Sequence, residues 1–452
     1  MEQTAISEQV SQLLAARDKV ALRALLKKIH DVDIANALSH FPASNLLELL
    51  LLLSLDSQAR LFAYFDSDVQ AEIAGLMNRN DLAALFSKME HDTRADLYKQ
   101  LDEQQRHTFM PGLAQAERED ICRLASYPEK TAGAVMTSSY ATLKPNYSAK
   151  KALLKLQLEA PDKETIYQTY IIGDNRELLG TLSLRELILA PSSTPIERLM
   201  VSEVVSANVH DDQEKIADMI RDYDLISLPV LNDEQQLVGI VTYDVAMDAA
   251  EEEATEDAQK SASVGVLENP VSRSSVWQLY RKRIGWLVLL VFGALLSGAG
   301  LAFFEQTIEA HIALVFFMPL LVGSGGNAGS QAAALMVRAL ATGDVQFKDW
   351  ASVLGKDALV ASALGLTMAG TVYLLGLVRG GPEIALVVAV SMFFVVVVGS
   401  LIGLCLPFAL SKVNLDPATA SGPLVTTIVD ASGVLIYFGF ASWLLSLGAL
   451  YR

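Results

Sequence analysis

The sequence predicts a multidomain protein with three parts: an all-α helical-hairpin superhelix, a tandem pair of α/β domains, and an α-helical membrane domain of five transmembrane helices. Uncharged apolar runs long enough to cross a bilayer occur only after residue 283. Before residue 128, amphipathic segments recur at a spacing of roughly 24 residues. After residue 136, a different pattern recurs with an offset of about 60 residues. We therefore place the domains at 1–130, 131–199, 200–250, 251–280 and 281–452.

Charge is distributed unevenly along the 452 residues. Residues 1–270 contain 44 acidic and 25 basic side chains, whereas the remainder contains 8 and 10. A strongly acidic half argues against nucleic acid as a partner and makes cations its natural ligands. Cys122 lies in this half and Cys405 in an apolar run, so we expect no disulfide and a reducing cytosol. The first residues, MEQTAISEQV, predict no cleaved signal peptide.

Residues 1–130 are predicted to form short amphipathic helices. Their recurring stretches place apolar residues at i, i+3 and i+4, with an Asp or Asn near each helix start. This pattern is typical of a helical-hairpin superhelix. The apolar string 46–53 is too short to cross a bilayer, so we expect it in a buried core helix.

A strand–helix–strand–strand–helix pattern follows and occurs twice. The two copies pair Met136 with Met200 and Gly180 with Gly239. Because the strands and helices occur in the same order in both copies, the pair resembles tandem CBS domains. The resemblance implies an α/β fold that binds adenine nucleotides in some relatives and serves as a dimerisation and sensing scaffold in others. Nucleotide binding and a scaffold role are therefore alternative predictions for this pair of domains.

The nucleotide-binding alternative rests on a hydroxyl and an acid three residues apart after a glycine-containing turn. Ser183 and Glu186 have this spacing in the first copy, and the resemblance implies that they contact ATP. In the second copy Thr242 is followed three residues later by Val245. We therefore expect at most one ATP site per subunit, in the first copy.

The second copy runs into an acidic segment, DAAEEEATEDAQK, at residues 248–260. On a helix, Glu252 and Glu256 share one face, as do Glu253 and Asp257, and like charges at i, i+4 repel. The segment is therefore either a solvated linker helix or part of an interface that divalent cations neutralise. Hard oxygen ligands of this kind favour Mg²⁺ or Ca²⁺ over softer metals.

Five apolar runs predict five membrane spans. Four are uncharged, at 284–304, 312–337, 358–378 and 384–411, and the fifth follows residue 417. Basic residues between the runs fall mostly on one side, which places the N-terminal half in the cytoplasm and the C-terminus outside. That side carries Arg281, Lys282, Arg283, Arg338, Lys348, Lys356 and Lys412, whereas the opposite side carries Arg379 and Arg452.

Asp430 is the one charged residue in the last run, 417–451. A carboxylate at membrane depth is costly unless it faces water, a partner or a cation, so such residues are functional candidates. Span two contains a second unusual feature, because Pro319 and four glycines lie within residues 318–331. These residues disfavour a regular helix, so we expect irregular backbone there.

The chain resembles the MgtE family of magnesium channels, which is related to the solute carrier 41 family. The resemblance rests on the domain order and on three motifs: PLLVGSGGNAGSQ at 319–331, RALATGD at 338–344 and LDPATASGPLVTTIVDASG at 415–433. It implies a homodimer with a pore on the two-fold axis, lined by spans two and five. Asp430 would be the pore carboxylate, which suits Mg²⁺ because this ion keeps several of its waters.

Further residues are expected along the same path. Thr426 and Gly422 precede Asp430 by one and two helical turns, so they share its helix face. Asn327 of span two could supply an amide oxygen to the pore, or only a hydrogen bond between helices. The resemblance implies that two further acids lie near the mouths of the pore, Asp416 at the cytoplasmic end and Glu309 at the outer end.

We therefore predict a Mg²⁺-selective homodimeric channel in the bilayer of the cell membrane, closed by cytosolic Mg²⁺ bound between acidic domains. The main alternative is a secondary transporter that exchanges a divalent cation for Na⁺ or H⁺. An anion channel is disfavoured by the acidic pore residue, and no catalytic motif indicates an enzyme. Matching to the family gives the sensor acids as Asp212, Glu214, Asp224, Asp248, Glu253 and Asp257.

Overall fold

The computed structural model describes residues 2–267, 271–272, 274–413 and 415–450. The chain divides into two compact units, Met1–Glu252 and Glu253–Arg452. The first unit contains a run of short helices and two small sheets, and the second contains the long apolar helices.

Short helices build the first half of unit 1. Several begin at a side-chain cap: Asp18, Ser54, Asn78 and Asp102 each accept a hydrogen bond from an N–H of the first turn. In chain order the helices are α1 (Glu2–Ala15), α2 (Lys19–Leu26), α3 (Asp31–Leu38), α4 (Ala43–Leu50), α5 (Leu55–Ala63), α6 (Ser67–Leu76), α7 (Arg79–Phe86), α8 (His91–Gln100), α9 (Glu103–Phe109) and α10 (Gln115–Ala125).

The core of these helices explains the predicted repeat. Leu38, Phe62, Phe86 and Phe109 are all fully buried and lie about 24 residues apart. Alternate helices pack on each other, α3 on α5, α5 on α7 and α7 on α9. The apolar string 46–53 begins within α4, and all of its leucines except the exposed Leu51 join the same core.

The second half of unit 1 contains two copies of one α/β arrangement. Each sheet has three strands, with the first pair parallel and the second antiparallel. The elements are α11 (Ala132–Val135), β1 (Tyr140–Leu143), α12 (Ala149–Glu159), β2 (Thr165–Ile172), β3 (Leu178–Ser183), α13 (Leu184–Leu189), β4 (Ala207–Asn208), α14 (Gln213–Asp222), β5 (Ser227–Leu231), β6 (Leu237–Thr242) and α15 (Tyr243–Ser261).

The methionine of each copy lies against the glycine of the other copy. A methyl group at Gly239 would lie 2.3 Å from the Met136 sulfur, and one at Gly180 would lie 3.0 Å from the Met200 sulfur. Each methionine thus fills the space left by a glycine, which explains why both residue types recur together. Helix α15 is continuous through the predicted border at 250/251, and it ends at Ser261, well short of residue 280. The domain borders therefore stay predictions.

Unit 2 is helical. Among its described residues, four helices are long and apolar enough to cross a membrane. Within the longest, Gly381 has non-helical angles (φ 77°, ψ 177°), so the predicted spans 358–378 and 384–411 lie on either side of a break. Arg452, placed outside by the charge rule, lies beyond the described residues. The helices are α16 (Val276–Phe303), α17 (Glu305–Ala310), α18 (Ala313–Ala341), α19 (Trp350–Lys412) and α20 (Gly422–Leu450).

The expectation of irregular backbone in span two is wrong. Helix α18 is continuous from Ala313 to Ala341 and includes Pro319. Its glycines instead allow close packing, because a methyl group at Gly329 would lie only 2.8 Å from the Gly399 carbonyl oxygen of α19. Backbone contact between small residues is the usual way in which membrane helices approach closely. This packing offsets the low helix propensity of the segment.

Candidate functional site

A polar stripe runs along α20 at i, i+4 and i+8. It consists of Gly422, Thr426 and Asp430, all of which are half-buried. The adjacent stripe of Val425 and Val429 is fully buried against the other helices. Hence the carboxylate lies at the edge of the packed face, where the chain's own helices cover it only in part. The Thr426 hydroxyl donates to the Pro423 carbonyl at 2.9 Å, and its oxygen keeps accepting capacity.

Helix α18 comes closest to this stripe at Gly326. A methyl group there would lie 3.1 Å from Thr426 Cγ2 and 3.6 Å from Asp430 Oδ1. The glycine therefore leaves room for the two polar side chains. Asn327 follows on the exposed side of α18, in line with Gly323 and with Gln331. The structure thus brings Thr426 and Asp430 together with α18, while Asn327 points away from the packed face.

The two predicted mouth residues have different surroundings. Glu309 is exposed in α17. Asp416 is engaged: its Oδ1 accepts the Ala418 N–H at 2.8 Å, and its Oδ2 lies 2.5 Å from Lys260 Nζ. Lys260 also lies 2.5 Å from Glu256 Oε1, one turn earlier in α15. The end of α15 is therefore tied by an ion pair to the segment that leads into α20.

A second contact joins the same two segments. The hydroxyls of Ser263 and Ser421 are 2.6 Å apart and buried. Burial lowers the pKa of Lys260, but its hydrogen bonds to Asp416 and Glu256 outweigh this effect and raise the pKa above the ordinary value. Burial and the charge of Asp416 raise the pKa of Asp257. Negative charge is thus concentrated here, and one ammonium group offsets it.

Another carboxylate lies in the long membrane helix α19. Asp357 directly precedes the predicted span 358–378 and is half-buried. Among the described atoms, its Oδ2 is buried without a hydrogen-bond partner. The sequence did not indicate Asp357 as a candidate residue, because two adjacent charges, Lys356 and Asp357, are typical of a solvated loop.

Unit 1 contains an acidic cluster that sequence reasoning did not assemble. It consists of Glu90, Asp92, Glu164 and Asp244, which come from three separate parts of the chain. Burial is the main cause that raises the pKa of Glu164 from 4.5 to about 7. The negative charges that raise it further belong to Glu90, Asp92 and Asp244. Burial likewise raises the pKa of Glu90 and Asp92.

The raised pKa of Glu164 predicts that the stability of unit 1 depends on pH. Protonation of Glu164 stabilises unit 1 fully below pH 4.5, and this contribution is lost as the pH rises through about 7. The difference between the two pKa values corresponds to about 3 kcal/mol at most. Without Mg²⁺, we expect amide hydrogen exchange in α8 to become faster between pH 5 and 7.5, after correction for the intrinsic exchange rates. Added Mg²⁺ should suppress this increase in the exchange rate.

Glu164→Gln mimics the protonated acid, so it should flatten this pH dependence and weaken the effect of Mg²⁺. The matched control is Glu203→Gln, which removes an exposed carboxylate outside the cluster. Equal pH profiles for wild type and Glu164→Gln would contradict the role of the cluster.

The predicted sensor acids lie on and beside the helices α14 and α15. Asp212 caps α14, its Oδ1 accepting the Glu214 N–H at 2.9 Å. Asp224 lies at the other end of this helix, about 15 Å along the axis. Asp248 lies near Asp244 of the acidic cluster, and burial raises its pKa. Glu253 and Asp257 are further along α15, in unit 2.

Within the described ranges, no three His, Cys, Asp or Glu side chains are grouped so that they could hold a metal ion. Glu90 and Asp92 flank the start of α8, where acids are common as helix-terminal residues. Their electrostatic interaction with Asp244 and Glu164 distinguishes them, and no local sequence pattern contains that interaction.

The proposed nucleotide residues form a capping box at the start of α13. The Ser183 hydroxyl accepts the Glu186 N–H at 3.2 Å and donates to Glu186 Oε2 at 2.8 Å. The Ser183 N–H donates to the same oxygen at 3.2 Å. A helix start therefore explains the spacing without a ligand. Glu186 is nevertheless exposed, so its carboxylate is accessible to a ribose hydroxyl.

Comparisons with known proteins agree with this architecture. The family described as "MgtE: Divalent cation transporter" matches residues 318–440, its intracellular N domain matches 29–130, and the CBS domain matches 196–251. The solved soluble part of a magnesium transporter is similar at 28% identity with a TM-score of 0.51, and it covers 56% of this chain and 99% of that chain. These matches confirm the predicted fold class.

Another solved structure is the cytosolic domain of the Mg²⁺ channel MgtE in complex with ATP. It is similar at 30% identity with a TM-score of 0.52, covering 54% of this chain and 99% of that chain. The magnesium transporter MgtE of Thermus thermophilus is 35% identical over 98% of this chain and 99% of its own length. The transporter of the same name in Bacillus subtilis is 30% identical over 93% of both. The chain therefore belongs to the MgtE family of magnesium transporters.

Proposed function

We propose that this transporter is a homodimeric Mg²⁺ channel of the cell membrane that cytosolic Mg²⁺ closes. The observation that carries the proposal is the half-buried stripe of Gly422, Thr426 and Asp430 on α20. A second copy of the chain, related by a two-fold axis, would complete a path lined by two such stripes. Unit 1 and α15 are cytoplasmic in this proposal, and the C-terminus is outside, as the distribution of basic residues favours.

The pore chemistry follows from the properties of Mg²⁺. This ion dehydrates reluctantly and is usually bound through one or two carboxylates while it keeps several waters. Two copies of Asp430 supply two carboxylates, and the Thr426 hydroxyls supply oxygen atoms one turn away. Selectivity would then depend on the fit of the hydrated ion between the two stripes rather than on a closed set of protein ligands.

The gate in this proposal is α15. Its acidic residues repel one another at low Mg²⁺, whereas bound Mg²⁺ neutralises them and favours the closed state. The ion pair between Lys260 and Asp416 supports this assignment, because it ties the end of α15 to the segment that leads into the pore helix. Movement of α15 would therefore act directly on the start of α20.

A secondary transporter is the second candidate, and Asp357 is the observation that favours it. A half-buried carboxylate with an unpartnered oxygen is the kind of group that proton-coupled carriers use. Flux measurements in liposomes separate the two functions. A channel passes Mg²⁺ down its own gradient at any transmembrane pH difference, whereas an exchanger is driven by the Na⁺ or H⁺ gradient and reverses with it.

Nucleotide binding is a further part of the proposal, supported by the ATP complex of the similar cytosolic domain. The residues present fit a ribose contact at Ser183 and Glu186, whereas Val245 offers no hydrogen-bond acceptor in the second copy. We expect calorimetry to give one ATP site per subunit. Glu186→Ala should abolish binding, but it also breaks the capping box at a cost of about 1 kcal/mol.

Glu186→Gln is the informative control, because Gln at this position preserves the capping box. It should weaken ATP binding by about tenfold, since a hydrogen bond to a charged acceptor is stronger than one to a neutral acceptor. Two equivalent sites per subunit, or unchanged affinity in Glu186→Gln, would count against this assignment.

A further inference from the structure

A cleft of about 610 Å³ lies beside the first turns of α16. One wall is a single face of α16, and the other includes Gly265 and Leu267 of the segment after α15. The α16 wall carries two cationic side chains, an amide and an indole, and it consists of Gln278, Arg281, Lys282, Gly285 and Trp286.

The two walls are held together by hydrogen bonds. The Gly265 N–H donates to the Lys282 carbonyl at 2.8 Å, although that carbonyl belongs to a helix. The Leu267 N–H donates to Gln259 Oε1 of α15 at 2.8 Å. A methyl group at Gly285 would meet nothing within 4 Å, so the cleft is open at this point of the helix. Hydrogen bonds therefore fix the wall after α15 to α16 and to α15.

The sequence of α16 places the cleft at the surface of the bilayer. Beyond residue 284 the helix is apolar, and seven of its large apolar side chains between 287 and 296 are exposed by 47% to 67%. Just before it, the rings of Trp277 and Tyr280 stack at 5.4 Å and are exposed. Aromatic and basic residues next to an apolar helix mark the membrane–water interface. The seven exposed residues are Leu287, Val288, Leu289, Val291, Phe292, Leu295 and Leu296.

The geometry points to a binding site for one anionic phospholipid of the cytoplasmic leaflet in this cleft. Its phosphate lies between Arg281 and Lys282, and its acyl chains follow the exposed apolar side of α16. Anionic headgroups are the membrane component whose charge complements this wall. A lipid bound here contacts both α16 and the segment that follows the gate helix α15, so it would link membrane composition to the position of α15.

Native mass spectrometry of the delipidated full-length protein tests the site directly. The probes are phosphatidylglycerol and phosphatidylcholine with the same acyl chains. We expect wild type to prefer phosphatidylglycerol, and Arg281→Gln with Lys282→Gln to lose about tenfold in that preference. Gly285→Phe, which fills the cleft and keeps both charges, should also lose the preference. Each variant is first checked for an unchanged oligomeric state and elution volume.

The control is Arg283→Gln, which removes one positive charge from a neighbouring residue that does not line the cleft. It should retain the preference for phosphatidylglycerol. Equal losses in Arg283→Gln and in the double variant would show non-specific attraction to charge and overturn the site. Displacement of phosphatidylglycerol by excess inorganic phosphate would overturn the assignment to a lipid, because free phosphate gains nothing from the apolar side of α16.

Discussion

Replacing Asp430 with Ala or Asn is expected to abolish Mg²⁺ flux while leaving folding and oligomeric state intact. Two carboxylates at about 5 Å attract a divalent ion by about 3 kcal/mol together, even at the dielectric constant of water. Losing this attraction reduces occupancy of the pore by about a hundredfold or more. Packing should change little, because Asp430 is only half-buried. The measurement is Mg²⁺ uptake into liposomes, together with growth of a Mg²⁺-dependent strain.

Glu305→Gln is the control for this prediction, because it removes an exposed carboxylate of α17 from the same membrane unit. Its flux should remain within about twofold of wild type, as expected for one exposed charge. Thr426→Val should give an intermediate loss, since it removes the hydroxyl and keeps the shape. Undiminished Mg²⁺ uptake by Asp430→Asn would show that Asp430 does not line the pore.

Neutralising Asp248, Glu253 and Asp257 together is expected to leave the channel open at millimolar Mg²⁺. Two effects compete in this variant. Neutral side chains no longer repel, which favours closure, but they also cannot be bridged by Mg²⁺, which favours the open state. Bridging should dominate, because a divalent ion attracts each carboxylate twice as strongly as another carboxylate repels it at equal distance.

Limited proteolysis of the segment after Ser261 gives a readout that is independent of flux. Mg²⁺ should protect this segment in wild type and not in the triple variant. The matched control neutralises Glu203, Asp218 and Asp222, which removes the same charge from residues of unit 1 that are not part of α15. If the triple variant closes at the same Mg²⁺ concentration as wild type, these residues form only a solvated face and do not take part in Mg²⁺-dependent closure. Closure without any Mg²⁺ would show that repulsion alone drives opening.

Much of the fold could be predicted because its signals are local. The repeat of about 24 residues reflects one large apolar residue per helix pair, as the buried Leu38 and Phe62 illustrate. The Met–Gly pairing reflects mutual filling of space between two copies of one fold. The irregular backbone expected at Pro319 was wrong, because intrinsic propensity does not include the packing of glycines against α19.

The candidate sites were harder to predict because they depend on contacts between distant residues. Asp430 stood out because one charge in an apolar run is visible in sequence. Lys260 did not, since its role depends on Asp416, which lies 156 residues later. Glu164 was missed for a similar reason: its shifted pKa comes from burial and from acids on other elements. Composition identified an acidic half, but only the fold shows which acids share a site.

Single-channel recording of the purified full-length protein under a Mg²⁺ gradient tests whether Asp430 lines the pore of a channel. We expect unitary currents above roughly 10⁵ ions per second, which vanish in Asp430→Asn and decrease when Mg²⁺ is added on the side of unit 1. Turnover limited to about 10³ per second and driven by a Na⁺ or H⁺ gradient would instead establish a carrier and contradict this expectation.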